Sequence, residues 1–374
     1  MSETSYQPLF EPYRLGAAGS PRRMALPNRI MMAPMTRFRA DEHGTPRPVV
    51  ADYYSQRATA GLIVTEGIWP SHAGQAGWWM PGLATPDHVA GWQVVTAAVH
   101  AAGGRIFAQL MHSGRAAHPL SRIDGSHPRA PSAVAPVEPL HTKDGKTAPT
   151  SPLAMTIPDI EQAIADHVSA ARRAMAAGFD GVELHGANGY LIHQFLADNT
   201  NLRTDGWGGS RANKMRFAVE VTTAVAEAVG AERTAVRLSP ANPQAGIIEA
   251  DPAPLYQPLV HQLDRLGLAY LHLIDNDCYP AVEDLKPYWT GTLAVNIGEN
   301  REPTEAAAAA CLIGEGRADL VSFGRLYISN PDLPERLAAG APLQRIRPED
   351  LYTHGARGYT DYPTMGAPVG VPRQ

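Results

Sequence analysis

Short apolar runs recur along the chain as IMMAP (30–34), GLIVTEG (61–67), RIFAQLMH (105–112), GVELHG (181–186), TAVRLSP (234–240), AYLHLID (269–275), TLAVNIG (292–298) and LVSFGR (320–325). Between them the apolar positions take up a helical spacing, as in PDHVAGWQVVTAAVHAAG (86–103), IPDIEQAIADHVSAARRAMAAG (157–178) and NKMRFAVEVTTAVAEAVG (213–230). Several of these stretches close on a glycine, as helices often do. Eight strand-then-helix units predict an α/β protein, a single (β/α)8 barrel domain spanning 1–374. A doubly wound sheet is the alternative, but its first strand usually runs into a glycine-rich turn. Here the first strand runs into APMTRFRADEHG, without G-x-G-x-x-G. The longest break, 113–157, is rich in Pro, Ser and Gly and falls between the third strand and the third helix. It reads as a cap over the barrel mouth, with a hairpin near Lys143-Asp144-Gly145-Lys146.

Composition narrows the classes. A chain of 374 residues with 44% hydrophobic content has material for a sizeable core. Its net charge of −5 and lack of a long basic run argue against nucleic acid or an anionic membrane as partner. No apolar run approaches the ~20 residues that span a bilayer. The opening MSETSYQPLFEPYRLG lacks the basic-then-apolar pattern of a leader. Cys278 and Cys311 are too few for a disulfide framework or a four-thiolate iron–sulfur cluster. The expectation is a cytoplasmic enzyme.

Active sites of this fold sit at the C-terminal ends of the strands. Thr36, Gln109, His112, His185, Arg237 and Arg325 all fall there. Arg237 lies between Val236 and Leu238, so it faces either the barrel interior or the surrounding helices. Either site buries a guanidinium, at a cost of several kcal/mol unless an anion meets it. Two readings stay open at this point: an ion pair with Glu183 on the adjacent strand, or a cofactor that becomes anionic. Arg325 sits where barrels commonly bind phosphate, after strand eight. A phosphate there and a second negative centre near Arg237 suit a flavin mononucleotide. His185, Asn188 and Tyr190 follow one another within HGANGYLIHQFL. All three can donate a hydrogen bond to one oxygen, and only the phenol is a ready proton source.

Taken singly, these residues have plainer readings. A strand-end histidine is more often a satisfied polar residue than a catalyst, and Asn188 and Tyr190 alone could serve turn and packing. His193, Tyr6, Tyr53 and Tyr54 read as structural. A Schiff-base aldolase needs a strand-end lysine, and Lys143, Lys146, Lys214 and Lys286 are not at strand ends. A metal-dependent hydrolase clusters histidines with carboxylates, and IMMAPM holds no H-x-H, so no metal is expected. A flavin-binding barrel without catalysis would keep Arg237 and Arg325 but would have no need of Tyr190.

Seven stretches, APMTR (33–37), QLMHSGR (109–115), HGANGYLIHQFL (185–196), NLRTDGWGGS (201–210), VRLSP (236–240), FGRLYISNPDL (323–333) and GYTDYP (358–363), resemble in order the motifs of the Old Yellow Enzyme family. The resemblance implies an FMN-dependent reductase of activated alkenes, with NADPH or NADH as hydride donor and enones, nitroalkenes or similar electrophiles as substrates. It implies that Pro34 and Thr36 lie against the flavin, with Thr36 bonding near O4 and N5, and that Gln109 meets the pyrimidine edge. Arg237 would sit at N1 and O2, and Arg325 with the Gly324 backbone would hold the phosphate. His185 and Asn188 would grip the substrate oxygen and Tyr190 would protonate the α-carbon. His112 would line the flavin pocket and Tyr359 would close the substrate pocket. The resemblance leaves monomer and homodimer both open.

Three positions depart from the family pattern. Met111 stands where relatives usually carry tryptophan, and as it is two residues from Gln109 it is expected to border flavin and substrate. The turn after strand seven, Asn296-Ile297-Gly298-Glu299-Asn300-Arg301, carries a carboxylate where glycines are usual, so Glu299 is expected to point away from the phosphate. Trp207 replaces a tyrosine and reads as a packing change.

Overall fold

The structure is a computed structural model, and it describes residues 6–16, 23–297 and 303–366. The eight apolar runs form strands β1 (Ile30–Met32), β2 (Leu62–Ile68), β3 (Ile106–Leu110), β4 (Gly181–Gly186), β5 (Thr234–Leu238), β6 (Tyr270–Asp275), β7 (Leu293–Ile297) and β8 (Leu320–Phe323). They pair in parallel and in chain order, and β8 pairs with β1 to close the barrel. Strands buried on both faces need apolar residues at nearly every position, which is why they stood out as continuous runs. The helices expected around 86–103, 157–178 and 213–230 occupy Pro86–Ala101, Ile157–Ala176 and Arg211–Val229. Their starts are set by side-chain caps: Thr85 and Thr156 each form a capping box, and Ser210 accepts from the Asn213 amide. Among the described residues no helix is long and apolar enough to cross a membrane.

The barrel interior divides into two halves. In the N-terminal half Met31, Leu62, Phe107, Ala235, Tyr270 and Leu320 pack together, and the antiparallel ribbon Tyr13–Leu15/Met24–Leu26 adds Leu15 and Leu26 to that cluster. In the C-terminal half the inward positions turn polar, with Gln109, Glu183, Arg237, His272 and Ser322 all buried. The expected excursion after β3 carries the hairpin Leu140–Thr142/Gly145–Thr147, and Gly145 takes the positive φ of 103° that its turn requires.

A buried arginine fixes the element that follows β8. Arg57, fully buried, donates to the carbonyls of Tyr53 (2.8 Å), Tyr327 (2.9 Å) and Ile328 (3.1 Å), and its guanidinium lies 3.7 Å from the Tyr53 ring centroid. It thereby ties the helix Pro48–Ser55 to the short helix Arg325–Ser329. Replacing Arg57 by Met fills the space but leaves three buried carbonyls without their donor. Arg57→Met is expected to lose about 3 kcal/mol of stability, read as a lower urea midpoint on FMN-free protein; an unchanged midpoint would show that the three carbonyls find other donors.

Candidate active site

A cavity of about 800 Å³ opens at the C-terminal end of the barrel. Pro34 and Thr36 reach its wall from the loop after β1, Asn188 and Tyr190 from the turn after β4, Arg237 from β5, and Gly324 and Arg325 from the end of β8. Among its described lining residues are Arg37, Lys143, Arg237 and Arg325, and no carboxylate, in a chain whose net charge is −5. Such a cavity favours an anion. The turn containing Glu299 lies outside the described residues.

Beneath the cavity the interior side chains form one hydrogen-bonded network. Glu183 accepts from Gln109 Nε2 (2.8 Å) through one oxygen, and from the Tyr270 hydroxyl (3.0 Å) and His272 Nδ1 (2.9 Å) through the other. Burial pushes its pKa up, but the His272 ring, the Arg237 charge and the Gln109 amide outweigh burial and hold it at about 2. Arg237 makes no direct hydrogen bond to Glu183, although its charge still acts on the carboxylate. Its Nη2 donates instead to Asn296 Oδ1 (3.1 Å), while Nε is buried without a partner. An anionic cofactor edge lying against Arg237 fits that unsatisfied donor.

His185 pairs in register with Arg237. Burial, followed by the Arg237 charge, lowers its pKa to about 3, so the imidazole is neutral. Asn188 adopts a left-handed φ of 56°, which asparagine tolerates better than most residues, and its amide N–H donates to Ser239 Oγ (2.9 Å). Its side chain is turned from behind. The Gln244 N–H requires the Asn242 oxygen (3.0 Å), so Asn242 Nδ2 faces Asn188 Oδ1 (3.4 Å) and leaves Asn188 Nδ2 as the donor on the cavity side. The Tyr190 ring centroid is 5.1 Å from that of His185, and burial raises the phenol pKa, which keeps it protonated. His193 plays a structural part, accepting from the Gly189 N–H (3.0 Å) and lying 3.4 Å from Glu249.

Three expected positions fall elsewhere. Met111 is not on the cavity wall. β3 ends at Leu110, and Met111 turns into the space left by Gly67, where a Cβ would come within 2.6 Å of its sulfur, and packs with Trp69 and Met80. Tyr359 is fully buried and stacks on Tyr53 at 3.9 Å, with the Arg37 and Arg39 guanidiniums at its faces, so it does not close the pocket. His112 is buried against His167 and accepts from the Gly114 N–H (3.1 Å), away from the cavity. Trp207 does pack, against Phe195 and Phe217 and under Arg216. Gln109 Nε2 and His185 Nδ1 are 3.4 Å apart, Gln109 level with Glu183 and His185 level with Arg237, and both side chains are buried.

The sequence reading missed the outer wall. Trp78 and Trp79, following β2, and Tyr352 and His354, near the C-terminus, line the cavity, with His354 4.0 Å from Trp79 and Tyr352 edge-on to Phe38 at 5.4 Å. The paired tryptophans in an otherwise small-residue loop were the available signal. Residues 350–358 are held by main-chain carbonyls: Arg39 donates to those of Leu351 (2.7 Å), Asp350 (3.2 Å) and Arg357 (3.1 Å), and Arg37 to that of Gly358 (2.7 Å). Glu66 in turn holds the loop carrying these arginines, accepting from the Arg37 N–H (3.1 Å) next to Phe38, whose φ is 55°. Burial outweighs the nearby arginines and raises the Glu66 carboxyl to about 7.

The structure is thus a closed parallel barrel with an anion-favouring mouth and a buried arginine that has an unsatisfied donor. A model of the NADH:flavin oxidoreductase / NADH oxidase family matches residues 8–344, and the chain belongs to that family. It is 40% identical to a probable flavin mononucleotide-dependent alkene reductase of Leishmania infantum over 90% of this chain and 94% of that protein. Among solved structures it resembles the old yellow enzyme homologue from Zymomonas mobilis (38% identity, 96% and 99% of the two chains, TM-score 0.90). It also resembles morphinone reductase in complex with tetrahydroNAD (40% identity, 97% and 99%, TM-score 0.89).

Glu66 gives the site a pH signature. Between its ordinary pKa of 4.5 and about 7, the native state keeps a proton that the unfolded chain has lost, so stability from this group falls as pH rises. Glu66→Gln accepts the same N–H without ionising. Its stability relative to the parent is expected to rise by about 3 kcal/mol from pH 4.5 to 7.5, by urea unfolding of both proteins; a pH-independent difference would show that Glu66 is already ionised.

Proposed function

We propose that this protein is an FMN-dependent ene-reductase acting on small activated alkenes, such as enones and nitroalkenes. The observation that carries the reading is the buried Arg237 Nε without a partner, with neutral His185 in register beside it and the Asn188 and Tyr190 side chains on the same cavity. Bound FMN supplies a hydride that it has received from NADPH or NADH. Arg325, with the Gly324 backbone, would hold the phosphate, Pro34 and Thr36 would contact the flavin, and Gln109 and Arg237 would stabilise its anionic part.

His185 and Asn188 donate to the carbonyl or nitro oxygen of the substrate. As hydride reaches the β-carbon, negative charge gathers on that oxygen, and two preorganised donors stabilise it. A neutral imidazole suits this work, because it donates without giving up its proton. Tyr190 delivers the proton to the α-carbon. Trp78, Trp79, Tyr352 and His354 form the outer wall and set the substrate shape. The morphinone reductase relative, solved with tetrahydroNAD, supports a nicotinamide donor.

The primary experiment follows flavin colour: NADPH or NADH should bleach the yellow protein anaerobically, and 2-cyclohexenone should restore the colour. In Tyr190→Phe the bleaching step is expected to keep its rate, while recolouring by 2-cyclohexenone slows by about 10²-fold or more; equal rates in both steps would remove Tyr190 as the proton donor. Arg325→Ala is expected to fold and to purify with much less FMN, measured as the flavin-to-protein absorbance ratio. Full occupancy would place the phosphate elsewhere.

A further inference from the structure

A neutral imidazole carries one proton, and which nitrogen holds it depends on what the other nitrogen faces. His185 Nδ1 lies 3.4 Å from Gln109 Nε2. A carboxamide considered alone could turn either its nitrogen or its oxygen towards that ring. Glu183 removes the choice. An ionised carboxylate can only accept hydrogen bonds, and its Oε1 is 2.8 Å from the same terminal atom of Gln109, so that atom must be the nitrogen. The nitrogen carries two hydrogens, one for Glu183 and one for His185 Nδ1. A neutral ring that accepts at Nδ1 must carry its proton at Nε2.

We propose that Glu183 is a positioning residue that acts through Gln109 to hold His185 in the Nε2–H tautomer, so that the ring presents a donor to the substrate oxygen. The relay rests on the reading of His185 as an oxygen-holding donor. Its anchor is firm. Glu183 also accepts from the Tyr270 hydroxyl (3.0 Å) and from His272 Nδ1 (2.9 Å), and His272 is fixed at its far nitrogen by Ser322 Oγ (2.9 Å). Glu183 is fully buried, so solvent does not compete for its oxygens. A plain structural ion pair does not account for this arrangement, since Arg237 donates to Asn296 and Glu183 is met by Gln109, Tyr270 and His272.

The test is the His185 tautomer, read by long-range ¹H–¹⁵N correlation in ¹⁵N-histidine-labelled holoenzyme, with the signal assigned by its loss in His185→Asn. In the parent protein a pure Nε2–H ring is expected. Glu183→Gln and Gln109→Met should each give a mixture of tautomers and weaken calorimetric binding of phenol, a probe for the held oxygen, by fivefold or more. Tyr270→Phe removes a different donor from the same carboxylate and should leave tautomer and phenol affinity unchanged within twofold. An Nδ1–H ring in the parent, or a pure Nε2–H ring in both Glu183→Gln and Gln109→Met, overturns the relay. If Glu183→Gln does not fold, Gln109→Met decides alone. If phenol does not bind the parent protein, the oxygen-holding reading fails, while the tautomer still decides the relay.

Discussion

The ionised carboxylate of Glu183, enclosed in the barrel interior, sets the polarity of everything above it. A buried charge is tolerated only when donors surround it, and here β3 contributes an amide, while β6 contributes a phenol and an imidazole. Each of these groups has an orientation dictated by the same acceptor. Arg237 stands in the next layer, and its positive charge has two effects: it presents a donor where an anionic cofactor edge can meet it, and it helps keep His185 uncharged. The upper half of the barrel is therefore a stack of alternating polarity, acceptor below and donors above.

The Asn188 side shows the same logic in a different material. There a backbone N–H, which can only donate, orients Asn242, and Asn242 orients Asn188. Both residues proposed to hold the oxygen are thus turned by groups that have no freedom to reverse.

The barrel was legible because its strands are buried on both faces, so their positions could be read from apolar runs without knowing their partners. The C-terminal ends of those strands were legible for the same reason, and Thr36, Arg237 and Arg325 could be placed at the mouth. What escaped depended on space rather than type. Met111 was expected on the pocket wall because alternation was carried one residue past the end of β3, and only the absence of a side chain at Gly67 tells where it goes. Tyr359 was assigned to the pocket by its motif, but the stack it forms with Tyr53 joins residues 306 positions apart, beyond the reach of any local pattern. Between the two readings of Arg237 strand adjacency alone does not decide, because it shows which side chains are near and not which hydrogen bonds prevail.

The C-terminal wall is attached through its carbonyl groups to arginines that lie behind it. Apart from Thr353 Oγ1, which also accepts from Arg39, these acceptors are carbonyl oxygens common to every residue, so the attachment asks little of the side chains the segment displays towards the cavity. Tyr352 and His354 are in that sense interchangeable fittings on a fixed frame. The segment offers natural drift or deliberate library mutagenesis a place to reshape the cavity wall while the side chains of β3, β4 and β5 stay untouched.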